Sequence, residues 1–342
     1  VLDFFVVGTL TDLVPLTGDN RVLVKHGLIK LSQTQRPALK LLLESLGLND
    51  RKLSSQEVAI NLAPKLNALS RMEAHFLPRD VFLEADSARA QEIVAHVLKT
   101  QELRKFYQKS AINKALDLVS EMSQNGYVWV WSHEFHKGII GLVATSLSET
   151  YRVPAFVGSV NEKGEIAGSA RLPEGLDLDL TKILDAGSAH LLKYGGHAQA
   201  AGFSLKAENA LAFDKFFEEF FLNNPFESKD KSIVYDAIAT FEDLTPTLMK
   251  WLESLEPFGK DFPSLQFLFK NIRVAKMRDL NGGHLKLTLN GHGKSFDSVI
   301  FSPPEKYKNI KVGDEIDIIG EPRWNYFNGS KTIQIFTKDF SV

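Results

Sequence analysis

The sequence predicts an α/β protein in which a helical segment, one long helix, an α/β domain and a small β-barrel follow one another. Three observations predict this order. Residues 1–85 carry apolar side chains at helical spacing, the middle of the chain alternates between strand and helix patterns, and the segments after residue 265 have the pattern of strands only. Alternation is typical of a sheet covered by helices, and a series of short strands is typical of a barrel.

The composition is that of a globular protein. Of the 342 residues, 44% are hydrophobic and 24% are charged, and this length allows two or three domains. The absence of cysteine excludes disulfides and cysteine-ligated zinc, and it fits a reducing cytosol. No run approaches the roughly 18 apolar residues of a membrane span. We therefore expect a cytoplasmic protein without a membrane span. Val1 opens an apolar run, VLDFFVVGTL, as a fragment or processed chain would.

Short helices are predicted throughout residues 1–85. NRVLVKHGLIKLS and RPALKLLLESLGL have helical spacing, and SSQEVAINLAPKLNALSR opens with serines and places Glu57 where a capping box needs it. One helical pattern then covers residues 86–124, which at 1.5 Å per residue would be roughly 55 Å long. That length suits a helix connecting two domains, and Asn125-Gly126 is expected to end it.

Residues 125–224 have the pattern of an α/β domain of about 100 residues. The expected strands are YVWVWS, PAFVGSV, GEIAGSARL and AAGFSL, and the expected helices are HKGIIGLVATSLSETY, LTKILDAGSAHLLKY and ALAFDKFFEEFFL. The polar segment NNPFESKDK follows as a linker.

Residues 232–342 form the last predicted domain. SIVYDAIAT and the short helix TPTLMKWLESL precede five strands, LQFLFKNIRVAKM, HLKLTLN, KSFDSVIFS, DEIDIIGEPRW and KTIQIFTKDF, which fit a Greek-key barrel of the OB type. From Leu265 onward there are 12 Lys and Arg against 8 Asp and Glu, a net charge of +4, whereas the rest of the chain carries −6. A basic domain on an acidic body is consistent with a polyanion site at that end.

Ser169 and Arg171 are the first candidate anion ligands. They lie two residues apart on a predicted strand, so both side chains are expected on one face. A hydroxyl beside a guanidinium can clamp a phosphate. The alternative is an edge strand that carries a surface arginine.

The segment Gly195-Gly196-His197 is the second candidate. Its glycines allow a sharp turn that exposes N–H groups to a phosphate, and the imidazole can donate to a phosphate oxygen. The alternative is a helix C-cap with a solvent-facing histidine. His136 lies just before a predicted helix N-terminus, where free N–H groups favour an anion, although an ordinary N-cap region has the same pattern.

Asn67 and Arg71 are four apart and share one face of a predicted helix, which by itself is unremarkable. Asp12, in GTLTDLVPL, is an isolated acid within an apolar stretch, either a helix cap or a metal ligand. His133 and His136 lack a third ligand at zinc-site spacing. The sequence has no P-loop signature and no recognisable Ser-His-Asp arrangement.

The last predicted hairpin combines aromatic and cationic residues, as single-stranded nucleic acid requires. Bases stack on aromatic rings at ~1–3 kcal/mol each, while cations follow the phosphates. The residues are Arg323, Trp324, Tyr326, Phe327 and Lys331 around a turn at Asn328-Gly329. The alternative is that two of the three aromatic side chains fill the barrel core.

Taken in order, these segments resemble the RecJ branch of the DHH phosphoesterases over nearly the whole chain. GTLTDLVPL is similar to the fourth catalytic motif of that family and LAPKLNALSR to a segment ending in Asn-Ala-x-Gly-Arg. HKGIIGLVATSLSETYRVPAFV, GSARLPEGLDL and YGGHAQAAGFSL match the DHH-associated domain, and LEPFGKDFP before a barrel resembles the linker and DNA-binding domain. The resemblance implies that residues 1–85 are the remainder of a DHH catalytic domain, 86–124 a connecting helix, 125–224 the DHH-associated domain, and 232–342 a linker segment with an OB-fold DNA-binding domain.

The chain also departs from the family pattern. Ser70 replaces the usual Gly, Lys137 a frequent Pro, and Asp261-Phe262 a common Gly-Asn. The family's first three motifs, which end in an Asp-His-His triplet, are absent from this sequence and are expected upstream of Val1. The named candidate contacts are unaffected by these departures.

The resemblance implies a 5′-to-3′ exonuclease on single-stranded DNA, acting in repair and recombination with two Mn²⁺ or Mg²⁺ ions. It implies that Asp12 is a metal ligand and, with His197, catalytic. The implied phosphate contacts are Asn67, Arg71, His136, Ser169, Arg171, Gly195 and Gly196, and the implied single-strand contacts in the barrel are Arg323, Trp324, Tyr326 and Lys331. Besides single-stranded DNA, the expected partners are a single-stranded-DNA-binding protein and a repair helicase.

Since one carboxylate cannot hold two ions, we expect this chain alone to bind DNA without cleaving it. Two other functions remain open. One is a non-catalytic replication or repair scaffold with the same fold, and the other is a phosphodiesterase for oligonucleotides or cyclic dinucleotides. The terminal barrel argues against the second, because short substrates need no additional binding domain.

Overall fold

A computed structural model describes residues 1–49, 51–120, 126–226, 234–280, 283–301, 310–327 and 330–341. The chain divides into two compact units. The first contains Val1–Gln33, Asp50–Ile60 and Ser232–Val342, and the second contains Thr34–Asn49 and Asn61–Lys231. The predicted class, an α/β protein with a C-terminal OB-type barrel, is confirmed.

Helices account for most of the N-terminal half. Within the described residues they are α1 (Leu2–Thr11), α2 (Gly18–Ser32), α3 (Pro37–Ser45), α4 (Ser55–Glu57), α5 (Ala63–Arg71), α6 (Pro78–Leu83), α7 (Ser87–Ser120), α8 (Ile140–Tyr151), α9 (Leu180–Ala186), α10 (Ala210–Asn223) and α11 (Pro246–Ser254). None of the helices in these ranges combines the length and apolarity needed to cross a membrane.

The strands form two sheets. They are β1 (Val128–Ser132), β2 (Ala155–Val160), β3 (Glu165–Arg171), β4 (Lys193–His197), β5 (Ala200–Lys206), β6 (Ala237–Ile238), β7 (Phe267–Leu280), β8 (His284–Gly291), β9 (Lys294–Ile300), β10 (Glu315–Phe327) and β11 (Ser330–Ser341).

The segment predicted as one helix after Ser54 is interrupted. The capping box is present, because Ser54 Oγ accepts from the Glu57 N–H and the Glu57 carboxylate accepts from the Ser54 N–H at 3.0 Å. A π-helical stretch, Val58–Leu62, then separates α4 from α5. Pro64 lacks the N–H that would bond the carbonyl of Ile60, so regular α-helical bonding is broken at this point.

The long helix α7 packs along most of its length within the second unit. Its N-terminal part contacts α3, α5 and α6. Its C-terminal part contacts α8 and β1, where Ala111 and Ala115 are buried in the core. The expected end at Asn125-Gly126 lies partly outside the described residues, and Gly126 has a φ of +75°.

The second unit contains a sheet with the strand order β1-β2-β3-β5-β4. β1 and β2 are parallel because α8 connects them as a crossover helix, and the other pairs are antiparallel. On one face, Ile166, Ala170 and Phe203 pack with phenylalanines of α10. On the other face, Val130 and Val157 pack with the apolar side of α8. The β4–β5 edge of this second face remains open, since Gly202 and Gly195 are exposed.

The helix predicted for LTKILDAGSAHLLKY is wrong in its second half. Helix α9 ends at Ala186, a 3₁₀ turn covers Ser188–His190, and the chain then enters strand β4. A Cβ atom on Gly187 would lie 2.6 Å from the Phe216 ring, so close packing requires glycine here. Gly195-Gly196-His197 therefore lies on an edge strand and not after a helix.

The barrel is in the first unit. Strands β7, β8, β9, β11 and β10 pair in that order, and β10 returns to β7 to close the barrel. β11 runs parallel to β9, and the remaining barrel pairs are antiparallel. Alternate residues point inward, such as Leu285, Leu287 and Leu289 of β8, which are buried. This is the connectivity of the OB fold.

The segment before the barrel bonds to the N-terminal helices of the same unit. Leu16 N–H donates to the Lys260 carbonyl at 2.8 Å, and Ser55 Oγ donates to the Phe258 carbonyl. The Arg21 guanidinium donates to the Leu255 carbonyl. Residues 1–33 and 50–60 are therefore tied to residues 255–260, although they are far apart in sequence.

Candidate phosphate site and nucleic-acid surface

Ser169 and Arg171 form a fixed pair on β3. Arg171 Nη1 donates to Ser169 Oγ at 2.9 Å and to the Ala170 carbonyl at 2.7 Å. Burial, reinforced by the nearby positive charge of Arg71, lowers the pKa of Arg171 below its usual value. Among the described residues no carboxylate forms an ion pair with this guanidinium. A half-buried, oriented cation without a counter-charge is suited to an anionic ligand.

The HKGIIG segment, a loop at residues 136–139 followed by the first two residues of α8, packs against this pair. A Cβ atom on Gly141 would lie 3.0 Å from Arg171 Nη2 and 3.3 Å from Ser169 Oγ, so glycine permits the close approach. Gly138 meets the backbone of Arg71 in the same way, and Arg71 Nη1 donates to the Gly138 carbonyl at 3.4 Å. The loop thus joins the end of α5 to β3.

His136 belongs to this loop, but it is not at the first turn of α8, which begins at Ile140. Its Nδ1 accepts a hydrogen bond from the Gly138 N–H at 3.1 Å. The ring is therefore oriented by the loop, and Nε2 remains as the atom that can donate to a ligand.

Arg104 of α7 is a further cation beside Arg71 that sequence reasoning missed. Its Nε donates to Gln101 Oε1 at 3.0 Å, and burial followed by the charge of Arg71 lowers its pKa. No pattern in the sequence marks Arg104, because its position follows from the packing of α5 against α7. Asn67, four residues before Arg71 on α5, is half-buried. The positive charge of Arg71 is therefore near enough to lower the pKa of both Arg104 and Arg171.

The sheet register aligns the glycine-histidine segment with the Ser169–Arg171 pair. Gly202 of β5 is the partner of both Ser169 and Gly195, and Ala200 is the partner of both Arg171 and His197. Cross-strand partners point to the same face, so Arg171 and His197 flank Ala200 about 10 Å apart, two strand spacings. The residues between them are glycine or alanine, which leaves room for a ligand.

Gly196 alternates to the other face and is constrained by its backbone. Its φ is +152°, and a Cβ atom would lie 2.5 Å from the Ala200 carbonyl oxygen. Only glycine fits this position without a backbone shift. His197 is exposed, and its side chain has no hydrogen-bond or ionic partner among the described residues.

Asp12 belongs to the first unit and is the C-cap of α1, where its N–H donates to the Gly8 carbonyl at 3.1 Å. The residue is exposed, as either a cap or a metal ligand could be. In the part of the chain that the structure describes, no group of three or more His, Asp or Glu residues could hold a metal ion. Asp12 alone does not make a two-ion centre, so we derive no chemical step through a metal.

The four predicted barrel contacts, three on β10 and Lys331 on β11, divide between the two faces of this strand pair. Trp324 is half-buried and packs against the barrel core, while Tyr326 is 58% exposed. The Lys331 ammonium lies 4.1 Å from the Trp324 ring centroid and 5.4 Å from that of Tyr326. Of the aromatic residues expected to stack on DNA, Tyr326 is the accessible one. The Phe327 side chain and the turn at Asn328-Gly329 are outside the described residues.

Arg323 points to the outer face instead. Its guanidinium lies 4.4 Å from the Phe336 ring centroid and pairs with Glu321 at 2.6 Å. Phe336 in turn stacks with Phe301, which is 58% exposed, at 5.7 Å. Sequence reasoning missed these two phenylalanines, although the alternation along β11 places Phe336 outward, opposite to Ile335.

Two family models match the chain. Residues 103–223 match the DHHA1 domain and residues 235–339 match the RecJ OB domain. A DHHA1 domain followed by a RecJ OB domain defines the class of the chain as a DHHA1-containing protein of the RecJ type.

Individual similar proteins indicate which family within this class the chain resembles. The chain is 31% identical to the single-stranded-DNA-specific exonuclease RecJ of Bacillus subtilis, over 100% of this chain and 44% of that protein. It is 26% identical to RecJ of Escherichia coli, over 98% and 60%. The crystal structure of Thermus thermophilus RecJ with Mn²⁺ superposes with a TM-score of 0.82 at 25% identity, over 100% of this chain and 50% of that one.

The chain belongs to the RecJ family and corresponds to the C-terminal portion of its members. It spans about half the length of the relatives it matches, between 44% and 60%. A RecJ crystal structure with Mg²⁺ also superposes, with a TM-score of 0.81. Divalent metal ions are thus present in related structures.

Proposed function

We propose that this chain is the DNA-holding part of a 5′-to-3′ exonuclease specific for single-stranded DNA. The observation that carries the proposal is the uncompensated Arg171 guanidinium, oriented by Ser169 and aligned across the sheet with His197. The names of the relatives, single-stranded-DNA-specific exonucleases, support the substrate class.

In this proposal each site residue contacts the terminal phosphate. Arg171 and Arg71 supply charge-assisted N–H donors, and Ser169 contributes its hydroxyl. His197 and His136 donate from their imidazoles, and Asn67 from its amide. Gly195 and Gly196 keep the sheet surface low enough for a phosphate to approach the backbone. In the barrel, Tyr326 and Lys331 bind the trailing strand on one face, Trp324 supports Lys331 from the core side, and Arg323 offers a second cation on the outer face.

The assigned domains are part of the same proposal. Residues 1–85 would complete a DHH catalytic domain, 86–124 would connect it, 125–224 would bind the DNA end, and 232–342 would bind the strand. The activity would serve repair and recombination in the cytoplasm, alongside a single-stranded-DNA-binding protein and a helicase. Mn²⁺ or Mg²⁺ would activate the attacking water in the whole enzyme.

Asp12 would be one ligand among several in that whole enzyme. Because a single carboxylate cannot retain two ions, adding Mn²⁺ to this chain alone should not degrade a labelled single strand. Mn²⁺-dependent shortening of the strand would contradict this. A scaffold and an oligonucleotide phosphodiesterase remain the alternatives, and a barrel built for a long strand favours the exonuclease over the latter.

The direct test compares single strands that carry a 5′ phosphate or a 5′ hydroxyl. We expect the chain to prefer the phosphorylated end, and Arg171→Ala to remove about 10- to 100-fold of that preference, as loss of a charged hydrogen bond does. Lys215→Ala is the matched control. This exposed cation lies on α10, the helix that covers the opposite face of the sheet. Equal affinity of the unmodified chain for both ends would refute the phosphate assignment.

A further inference from the structure

A cavity of about 490 Å³ lies in the second unit, and of its lining residues the contacts proposed so far use His136. Its walls come from α7, from the loop after β1 and from β3. The residues that matter are Tyr107, His133, Glu134, His136, Lys137 and Ala167. Its volume is within the usual range for small-ligand sites, so it is large enough for part of a nucleotide.

The cavity shares structural elements with the phosphate site. Ala167 lies two residues before Ser169 on the same face of β3, about 6.6 Å along the strand. His136 lines the cavity and begins the loop that leads into α8, where Gly141 packs against Arg171. A ligand bound by Ser169 and Arg171 therefore has the cavity beside it.

The charges of the cavity walls are balanced. Glu134 pairs with Lys114 at 3.3 Å, and Lys137 pairs with Glu73 at 2.6 Å. By contrast, Arg171 has no ionic partner among the described residues. A phosphate is therefore expected at Arg171, while the cavity suits a neutral group.

The cavity also offers an aromatic surface and unused polar atoms. The Tyr107 ring is tilted by 33° from the His136 ring at 5.9 Å, and Tyr107 is 38% exposed. Neither the Tyr107 hydroxyl nor the His133 imidazole has a hydrogen-bond partner in the described part of the chain. A planar ring with donors and acceptors at its edge, which describes a nucleobase, matches this combination.

We propose that the cavity receives the base of the nucleotide whose 5′ phosphate is bound at Ser169 and Arg171. This inference rests on the proposed function, since it assumes that the phosphate binds there. Tyr107 provides the stacking surface and His133 faces the edge of the base, while His136 remains a phosphate contact at the rim of the cavity. The chain would then hold the terminal nucleotide at two points, its phosphate and its base.

The test uses the purified chain and 5′-phosphorylated single strands whose first nucleotide is either intact or abasic. We expect Tyr107→Ala to weaken binding of the intact strand by about 5- to 50-fold, the loss typical of one base stacked on an aromatic ring. The same substitution should leave binding of the abasic strand unchanged, because the contact is already missing. Leu211→Ala is the control, since its apolar side chain is exposed on α10 and does not line the cavity.

A second variant protects the test against a folding defect. His133 is exposed, so His133→Ala should preserve the fold and weaken binding of the intact strand only. If Tyr107→Ala and His133→Ala affect both strands equally, or neither strand, the base assignment is overturned. If the unmodified chain does not distinguish a 5′ phosphate at all, the proposed function itself fails. A phosphate preference without any effect of the first base would refute this inference alone.

Discussion

Arg171 and His197 are both register partners of Ala200, so their side chains flank one alanine on the same face of the sheet. They are 26 residues apart in sequence and come from different strands, β3 and β4. The strand between them contributes Ala200 and Gly202 to this face, and the absence of larger side chains keeps it open. The guanidinium of Arg171 and the imidazole of His197 can thus both donate hydrogen bonds to a ligand on this open surface.

The close approach of the start of α8 to Arg171 depends on Gly141. A Cβ atom there would be 3.0 Å from Arg171 Nη2, so Gly141→Ala should displace the guanidinium and lower the affinity for a 5′-phosphorylated strand by about 10-fold. Binding titrations would measure this. Gly8→Ala is the control, since nothing lies within 4 Å of its Cβ position, and it should leave binding unchanged. Unaltered binding in Gly141→Ala would show that the guanidinium is free to move.

Arg104, the cation that no sequence pattern marked, should contribute to the salt dependence of single-strand binding. If Arg104 contacts a phosphate, Arg104→Gln should reduce the slope of log affinity against log salt by about 0.7, the value for one phosphate on a single strand. Lys109→Gln, an exposed charge on the same helix, should leave the slope near that of the unmodified chain. Identical slopes for Arg104→Gln and the unmodified chain would remove Arg104 from the contact surface.

Substitutions of Tyr326 and Trp324, both on β10, should separate the effect on binding from the effect on stability. Tyr326 is exposed, so Tyr326→Ala should weaken single-strand binding by about 5- to 50-fold with little loss of stability. Trp324 packs against the barrel core, so Trp324→Ala should lower the free energy of unfolding by about 3 kcal/mol. Strand titration and chemical denaturation of both variants measure the two effects. Equal losses of stability would contradict the assignment of Tyr326 to the surface.

A buried carboxyl in the first unit should make stability depend on pH. Burial raises the pKa of Glu256 to about 7, although Lys52 at 3.8 Å opposes this shift. A raised folded-state pKa means that stability is fully present below pH 4.5 and is lost as the pH rises through about 7. Glu256→Gln cannot ionise, so its stability relative to the unmodified chain should improve by about 2 kcal/mol between pH 5 and pH 8.

Chemical denaturation at both pH values measures this difference. Glu242→Gln is the control, because Glu242 is exposed in the same unit and does not contribute to the pKa shift of Glu256. A pH-independent difference between Glu256→Gln and the unmodified chain would show that Glu256 ionises normally.

The sequence by itself determined the local elements and the faces of side chains within them. The period of two along GEIAGSAR placed Ser169 and Arg171 on one face, and the structure bonds them directly. The capping box of Ser54 and Glu57 and the five barrel strands were equally readable, because each depends on neighbours a few residues away. The sequence-based helix at α9 was too long, and the close contact of Gly187 with Phe216, which is distant in sequence, could not be read from the local pattern.

Only the tertiary structure decided which of these elements meet. Strand order brought His197 into line with Arg171, helix packing brought Arg104 to Arg71, and barrel closure turned Trp324 inward and Arg323 outward. The cavity beside Ala167 likewise exists only because α7 lies near the end of β1. Periodicity fixes the direction of a side chain relative to its own strand or helix, whereas contacts between distant segments fix what that side chain faces.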